Sequence, residues 1–193
     1  MSIFFLLLGL LQQKAAPAPP SQPAPGNPIV VIDTSLGPIT AELFKDHAPV
    51  SVENFLQYAQ EGFYNGTIFH RVVAGYVAQA GGYTETYQEK PTRPPIQNEA
   101  TNGLSNRKGT LSMARLTAAR SATSQFFINL VDNPGLDHAG FSPADYGYAV
   151  FGRVIDGWDT VQKIAAVRTK TTSDGMENVP ETPIVIKSVT EKK

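Results

Sequence analysis

The alternation of apolar and polar positions begins at Ile29 and organises the chain from there on. "IVVID" at Ile29–Asp33 is a short apolar run, "TSLG" a turn, and "PITAELF" sets Ile39, Ala41 and Leu43 against Thr40, Glu42 and Phe44. A period of two over such runs predicts strands, and the two together predict a hairpin. The period then changes. Val52, Phe55, Leu56 and Ala59 recur at helical spacing, with Ser51 placed to cap the helix and Gly62 to stop it. Strand patterns return near 68–73, 76–79, 109–115, 125–130, 148–154 and 183–189. A second helix fits 158–166, where Trp158, Val161 and Ala165 share a stripe with Ile164 beside it. Eight short strands and two helices predict an all-β fold: a closed eight-stranded antiparallel barrel capped by two α-helices.

One stretch departs from a plain barrel strand. Ile68 to Tyr83 reads "IFHRVVAGYVAQAGGY", mostly apolar and rich in β-formers, with the permanent cation Arg71 in its middle. A buried or half-buried guanidinium costs free energy unless something planar and polar meets it. Gln79 lies eight residues on, so a strand pair can put it on the face of Arg71. The pattern suits an apolar pocket with a few fixed polar groups; a barrel strand with a rim arginine paired to an acid is the alternative. Further along, "SATSQFFINL" puts Gln125 and Phe127 on one face and Phe126 on the other, in the core. Alternation does not say which face is the pocket, and Phe127 reads equally as core. Long Gly/Pro/Asn-rich connections at 84–108 and 132–147 are of a length that is more often functional than idle.

Composition narrows the chemistry. The 193 residues suffice for one domain and a modest extra segment. A net charge of −1, with 17% charged residues and aromatics not interleaved with Lys or Arg, speaks against nucleic acid as a partner. There are no cysteines, which removes disulfides, thiolate catalysis and zinc–cysteine sites. The chain has no G-x-S-x-G elbow, no H-E-x-x-H and no phosphate-binding G-x-x-x-x-G-K-[ST]. His47, His70 and His138 are scattered without metal-ligand spacing, and Ser124 has no acid–base partner in its sequence context. No metal and no cofactor is expected.

The N-terminus stands apart from the domain. Ile3 to Leu11, "IFFLLLGLL", is too short to span a bilayer as a helix but has the length of a signal-peptide core. Gln12 to Pro28 is Pro/Ala-rich and reads as a semi-rigid tether. The expected division is therefore 1–28 for leader and tether and 29–193 for the folded domain. The leader favours export; an uncleaved anchor and a mis-assigned start, which would leave the protein cytoplasmic, are the alternatives. The folded domain itself is expected to be monomeric and to engage no membrane.

Five segments, "FHRVVAGYVAQAGG", "PIQNEATNGL", "GTLSMAR", "SATSQFFIN" and "YAVFGRVIDG", occur in the order and spacing of the cyclophilin-type peptidyl-prolyl cis-trans isomerases. The chain resembles that family from about Ile29 to its C-terminal strand, and looks similar to the bacterial, periplasmic members. The resemblance implies an eight-stranded barrel with two capping helices and isomerisation of X–Pro bonds in folding polypeptides. It places the catalytic arginine at Arg71 and the hydrogen-bonding glutamines at Gln79 and Gln125. The proline pocket falls on Tyr76, Val77, Phe127 and Leu136, with Phe69 among the substrate-binding positions. A backbone rail for the substrate matches Ala114 and Arg115, and Tyr148 stands where many eukaryotic members have a pocket-closing histidine.

The departures are specific. Tyr76 replaces the family's Phe, Val77 its Met and Ala80 a Gly, while Gly135 stands where the eukaryotic members have a cyclosporin-contacting tryptophan. Weak cyclosporin binding is therefore expected. Val77 and Ala80 also motivate an alternative, a proline-peptide-binding or chaperone module with reduced catalysis.

Overall fold

The structure, a computed structural model, describes residues 23–192. The apolar run Ile3–Leu11 and the tether up to Gln22 lie outside the described residues. β1 (Ile29–Thr34) and β2 (Gly37–Leu43) form the expected hairpin, with Ile32 opposite Ile39. The chain continues through α1 (Pro49–Gln60), β3 (Thr67–Val73), β4 (Val77–Thr84), β5 (Thr110–Met113) and β6 (Phe126–Asn129). A single 3-10 turn (Pro134–Leu136) precedes β7 (Val150–Asp156) and α2 (Trp158–Ala165). A two-stranded ribbon, β8 (Thr169–Lys170) with β9 (Val179–Pro180), carries no signal in the hydrophobic pattern; β10 (Val185–Lys192) ends the fold. Eight strands close a barrel in the order β1-β10-β3-β4-β6-β5-β7-β2, and every pair is antiparallel. The expected barrel and both helices are present.

The barrel is filled with side chains. Val30, Ile32, Ile39, Ala41, Leu43, Phe69, Ala78, Ala80, Leu111, Phe126, Ile128, Phe151 and Ile186 belong to one buried cluster. The apolar face of α1 closes it. Phe55 meets the rings of Tyr64, Phe126 and Phe151 at centroid distances of 5.0, 5.3 and 5.4 Å. Burying three such aromatic contacts accounts for much of the hold on this helix. Gly62 ends α1 as expected, with φ +67 two residues past Gln60.

The start of α1 corrects the expectation for Ser51. The N-cap is Ala48 and no side chain of the helix caps it. Instead the carboxylate of Glu99, in the long connection after β4, accepts from the N–H groups of Val50 and Ser51 and from the Ser51 hydroxyl, at 3.0, 2.8 and 2.7 Å. An acid at a helix N-terminus satisfies orphan donors and suits the dipole. Its separation of 48 residues hides it from local pattern reading.

Glu42 points out of the barrel yet is only 1% exposed. It accepts from Arg153 Nε at 2.8 Å and from Ala24 N–H and Asn27 Nδ2, both at 2.7 Å. Burial alone would raise its pKa. The hydrogen bonds from Asn27, Ala24 and Arg153, with the Arg153 charge, outweigh that and hold the carboxyl below its ordinary value.

Candidate active site

The polar row of the site is set by strand register. Arg71 on β3 pairs with Gln79 on β4, and Gln79 pairs with Phe127 on β6, so the three stand side by side across the barrel's outer face. The register of β3 shifts between Phe69 and Arg71. This bulge corrects the expectation for Phe69. Strict alternation would put Phe69 and Arg71 on one face. The bulge turns Phe69 inward, where it is 0% exposed in the barrel core, and leaves Arg71 half-buried outside. Phe69 therefore lies beneath the site, in the barrel core, and lines no part of the cavity.

A second apolar cluster, separate from the core, lies beside Arg71. Val77, Ala114 and Phe127 are buried in it, with Tyr76, Leu136 and Tyr148 packed on them. Phe127 is pocket floor on one face of β6, while Phe126 and Ile128 face the interior. The Phe127 and Tyr148 rings meet edge to face at 5.6 Å. Together with Arg71, Gln79 and Arg115 these side chains line a cavity of about 250 Å³. That is smaller than a site for a drug-sized ligand. A wider cleft of about 590 Å³ lies at Lys108 and Trp158, and none of the expected site residues lines it.

Gln125 stands one step behind the cavity. Gln79 Nε2 donates to Gln125 Oε1 at 2.8 Å. The Gln125 carbonyl accepts from Ala114 N–H at 2.9 Å, which fixes the cavity edge just after β5 ends. A Cβ on Gly82 would lie 2.6 Å from the Gln125 side chain, so the second glycine of "AGGY" makes room for this amide. Ala80, in contrast, needs no glycine: it lies inside β4, fully buried and without a positive φ.

His70, at the bulge, is 5% exposed and its ring packs 4.7 Å from that of Tyr83. Burial lowers its pKa to about 4; the Arg71 charge pushes the same way, while hydrogen bonds to Ile68 and Gln125 oppose it. The imidazole is neutral at pH 7 and its Nδ1 is a buried polar atom without a partner. Arg71 carries no hydrogen bond and no ion pair among the described residues. Its guanidinium faces the cavity with its donors unspent. The rim arginine paired to an acid is not what forms.

The other wall is held by amides that the hydrophobic pattern does not show. Asn133 Nδ2 donates to the Tyr76 carbonyl at 3.1 Å and to Asn129 Oδ1 at 2.8 Å. Asn106 Nδ2 reaches the carbonyls of Leu136 and Tyr148 at 3.1 and 3.3 Å, and its Oδ1 accepts from Ser112 and Asn129. The Arg115 side chain, expected only as part of a backbone rail, stacks on Tyr148 at 4.7 Å and donates to the carbonyls of Gly147, Leu116, Thr117 and Pro143. Their partners lie 28 or more residues away in several cases, so sequence spacing gives no warning of them.

The site is thus an open apolar pocket on a filled barrel, edged by the Arg71 guanidinium and the hydrogen-bonded pair Gln79 and Gln125. Residues 29–191 match the family model described as cyclophilin type peptidyl-prolyl cis-trans isomerase/CLD. The chain is 51% identical to peptidyl-prolyl cis-trans isomerase A of Dickeya dadantii over 159 residues, covering 82% of each. It is 50% identical to peptidyl-prolyl cis-trans isomerase B of Escherichia coli over 163 residues, 84% of this chain and 98% of that protein. A solved cyclophilin of Cryptosporidium parvum, crystallised in the presence of the dipeptide Ala-Pro, aligns with a TM-score of 0.73 at 28% identity, covering 86% of this chain and 99% of that one. The chain belongs to the cyclophilin-type peptidyl-prolyl cis-trans isomerases.

Proposed function

We propose that this site accelerates cis/trans isomerisation of X–Pro bonds by holding the proline ring in the pocket of Val77, Phe127, Leu136 and Tyr148 while Arg71 meets the twisting amide. Amide resonance sets the uncatalysed barrier at roughly 18–20 kcal/mol. A turnover near a thousand per second requires removing roughly 6–7 kcal/mol of it. No bond to the protein forms and no proton is transferred, so the reaction asks for neither nucleophile nor acid–base pair. As the bond twists, the prolyl nitrogen loses conjugation and becomes pyramidal and basic. A planar guanidinium can donate to that nitrogen and to the prolyl carbonyl, an interaction stronger in the twisted state than in either planar one. Gln79, braced by Gln125, orients the substrate beside it. The similar cyclophilin solved in the presence of the dipeptide Ala-Pro supports a proline-containing peptide as the ligand class.

The observation that carries this reading is the unpaired Arg71 guanidinium in register with Gln79 and Phe127 at the mouth of an apolar cavity. A protease-coupled assay on an Ala-Pro tetrapeptide tests it, with acceleration over buffer as the expected result. Peptide binding without acceleration would instead establish the binding-module alternative, which the short Val77 floor favours. Gly135, whose side-chain side is open, supports weak binding of cyclosporin; a nanomolar inhibition constant would reject that part.

A further inference from the structure

Among the described residues, two large apolar side chains are far more exposed than any other: Phe141 at 82% and Leu116 at 77%, with Val50 next at 38%. Scattered exposed apolar residues are normal. The placement of these two is not random. Leu116 directly follows Arg115, which lines the pocket. Phe141 sits in the 137–147 loop, whose flanking residues Leu136 and Tyr148 both line the pocket and are joined by the Tyr148 N–H to Leu136 carbonyl bond at 2.9 Å.

One guanidinium ties both segments together. Arg115 Nη1 donates to the carbonyls of Leu116 and Thr117 at 3.0 and 3.1 Å, Nη2 to Pro143 at 2.9 Å and Nε to Gly147 at 2.9 Å. Phe141 is held in water by its own loop. Its ring lies 5.1 Å from His138 and 6.3 Å from Tyr146, and His138 Nδ1 bonds the Tyr146 carbonyl at 2.9 Å. The Asp145 carbonyl accepts from Ala139 and Gly140, and its carboxylate from the Ser142 hydroxyl at 2.6 Å. A hydrogen-bonded loop thus keeps an aromatic ring exposed, and the residues at both its ends line the pocket.

We propose that Phe141 and Leu116 form an apolar shelf beside the pocket that receives a large aliphatic or aromatic side chain of the same client polypeptide whose proline occupies the pocket. This rests on the X–Pro reading above and extends it to the residues around the proline. The Arg115 hydrogen-bond donors do not reach the occupant, because they are spent on four carbonyls and the guanidinium face on Tyr148. Shape and apolar area select it. Leu116 lies two residues beyond Ala114, at most about 7 Å along the chain, so the matching client residue is two or three positions from the proline.

Two heptapeptides with Ala-Pro at the centre, one with Phe and one with Gly at both ends, test this on the full chain. The expected kcat/KM favours the Phe peptide by about fivefold, and Kd from titration follows it. In the double substitution Leu116→Ser with Phe141→Ser, the preference shrinks to within about twofold in both readouts. Absence of a preference in the unaltered protein, or its survival in the double variant, overturns the shelf. So does a concentration-dependent dimer in sedimentation that the double substitution abolishes, since a second copy would then be the occupant. A preference in Kd without acceleration of either peptide supports the shelf and sinks the isomerase reading; equal acceleration of both peptides does the reverse.

Discussion

The half of the pocket made by Arg71, Gln79 and Phe127 stands on three neighbouring strands, whereas the half made by Tyr76, Leu136 and Tyr148 hangs from loops by side-chain amides. In the first half the barrel ladder fixes each Cα, and a substitution at a side chain leaves the frame in place. In the second half the frame is itself a polar network buried in the protein, where a lost amide leaves carbonyls unsatisfied. Under the proposed function, the chemistry falls on the half that tolerates an unpaired charge. The pocket's shape falls on the half that buried amides hold in place.

The most severe test of this division is Arg71→Ala. Loss of one donor aimed at a transition state typically costs a factor of about 10²–10³ in rate. Because Arg71 has no hydrogen bond or ion pair among the described residues, its removal should leave the melting temperature where it was. A tetrapeptide kcat/KM and a thermal melt, measured on the same preparation, check both halves of the statement. A large drop in melting temperature would show that the guanidinium is structural and the division wrong.

Asn106→Ala inverts that pattern. It withdraws the donors to Leu136 and Tyr148, takes the Ser112 hydroxyl's acceptor away and leaves Asn129 Nδ2 with Thr110 and a longer contact to Ser112. A buried amide with this many partners is expected to cost about 3 kcal/mol in urea unfolding. With its walls loosened, the pocket should lose affinity first, raising KM for a proline peptide more than it lowers kcat. Equal loss in both would mean that the loop half also shapes the transition state.

The strand half was legible in the sequence because its code is local. Alternation separates Phe126 from Phe127, and the Arg71–Gln79 spacing anticipates their register. The family resemblance, not alternation, places Phe69 in the site; one extra residue in β3 turns it inward, and no glycine or proline announces that. The loop half was not legible from pattern at all. Tyr76, Leu136 and Tyr148 were reached only through the family resemblance, and the residues that hold them, Asn106, Asn133 and the Arg115 side chain, have partners far off in the chain. Glu99 at the start of α1 was missed for the same reason.

His70 connects the comparison to pH. Its unfolded pKa is near 6.5 and its folded value about 4, so below pH 6.5 the unfolded chain binds a proton that the folded one refuses. Stability is therefore full above 6.5 and falls as pH drops toward 4, by about 2 kcal/mol at pH 5. Glu42, held below its ordinary pKa, contributes in the same direction but only as pH falls through its own lower value. In His70→Gln the loss between pH 6.5 and 5 should vanish while the more acidic loss remains. Denaturant midpoints across that range decide it, and an unchanged slope would show that the imidazole is not the proton acceptor.

The mildest expected effect sharpens the contrast from the loop side. Gly135 lies in the 3-10 turn between Asn133 and Leu136, its φ is not positive, and a Cβ built there meets nothing within 4 Å. A tryptophan can therefore enter without moving Leu136 or the Asn106 network beneath it. By the family resemblance that side chain is what cyclosporin contacts, so Gly135→Trp should tighten cyclosporin inhibition about tenfold, on the order of 1.4 kcal/mol. Tetrapeptide turnover should stay within about twofold, because a fixed frame lets the rim gain a contact without disturbing the row of Arg71 and Gln79. If turnover instead collapses with the substitution, the loop wall and the strand row are mechanically coupled, and the two halves work as one.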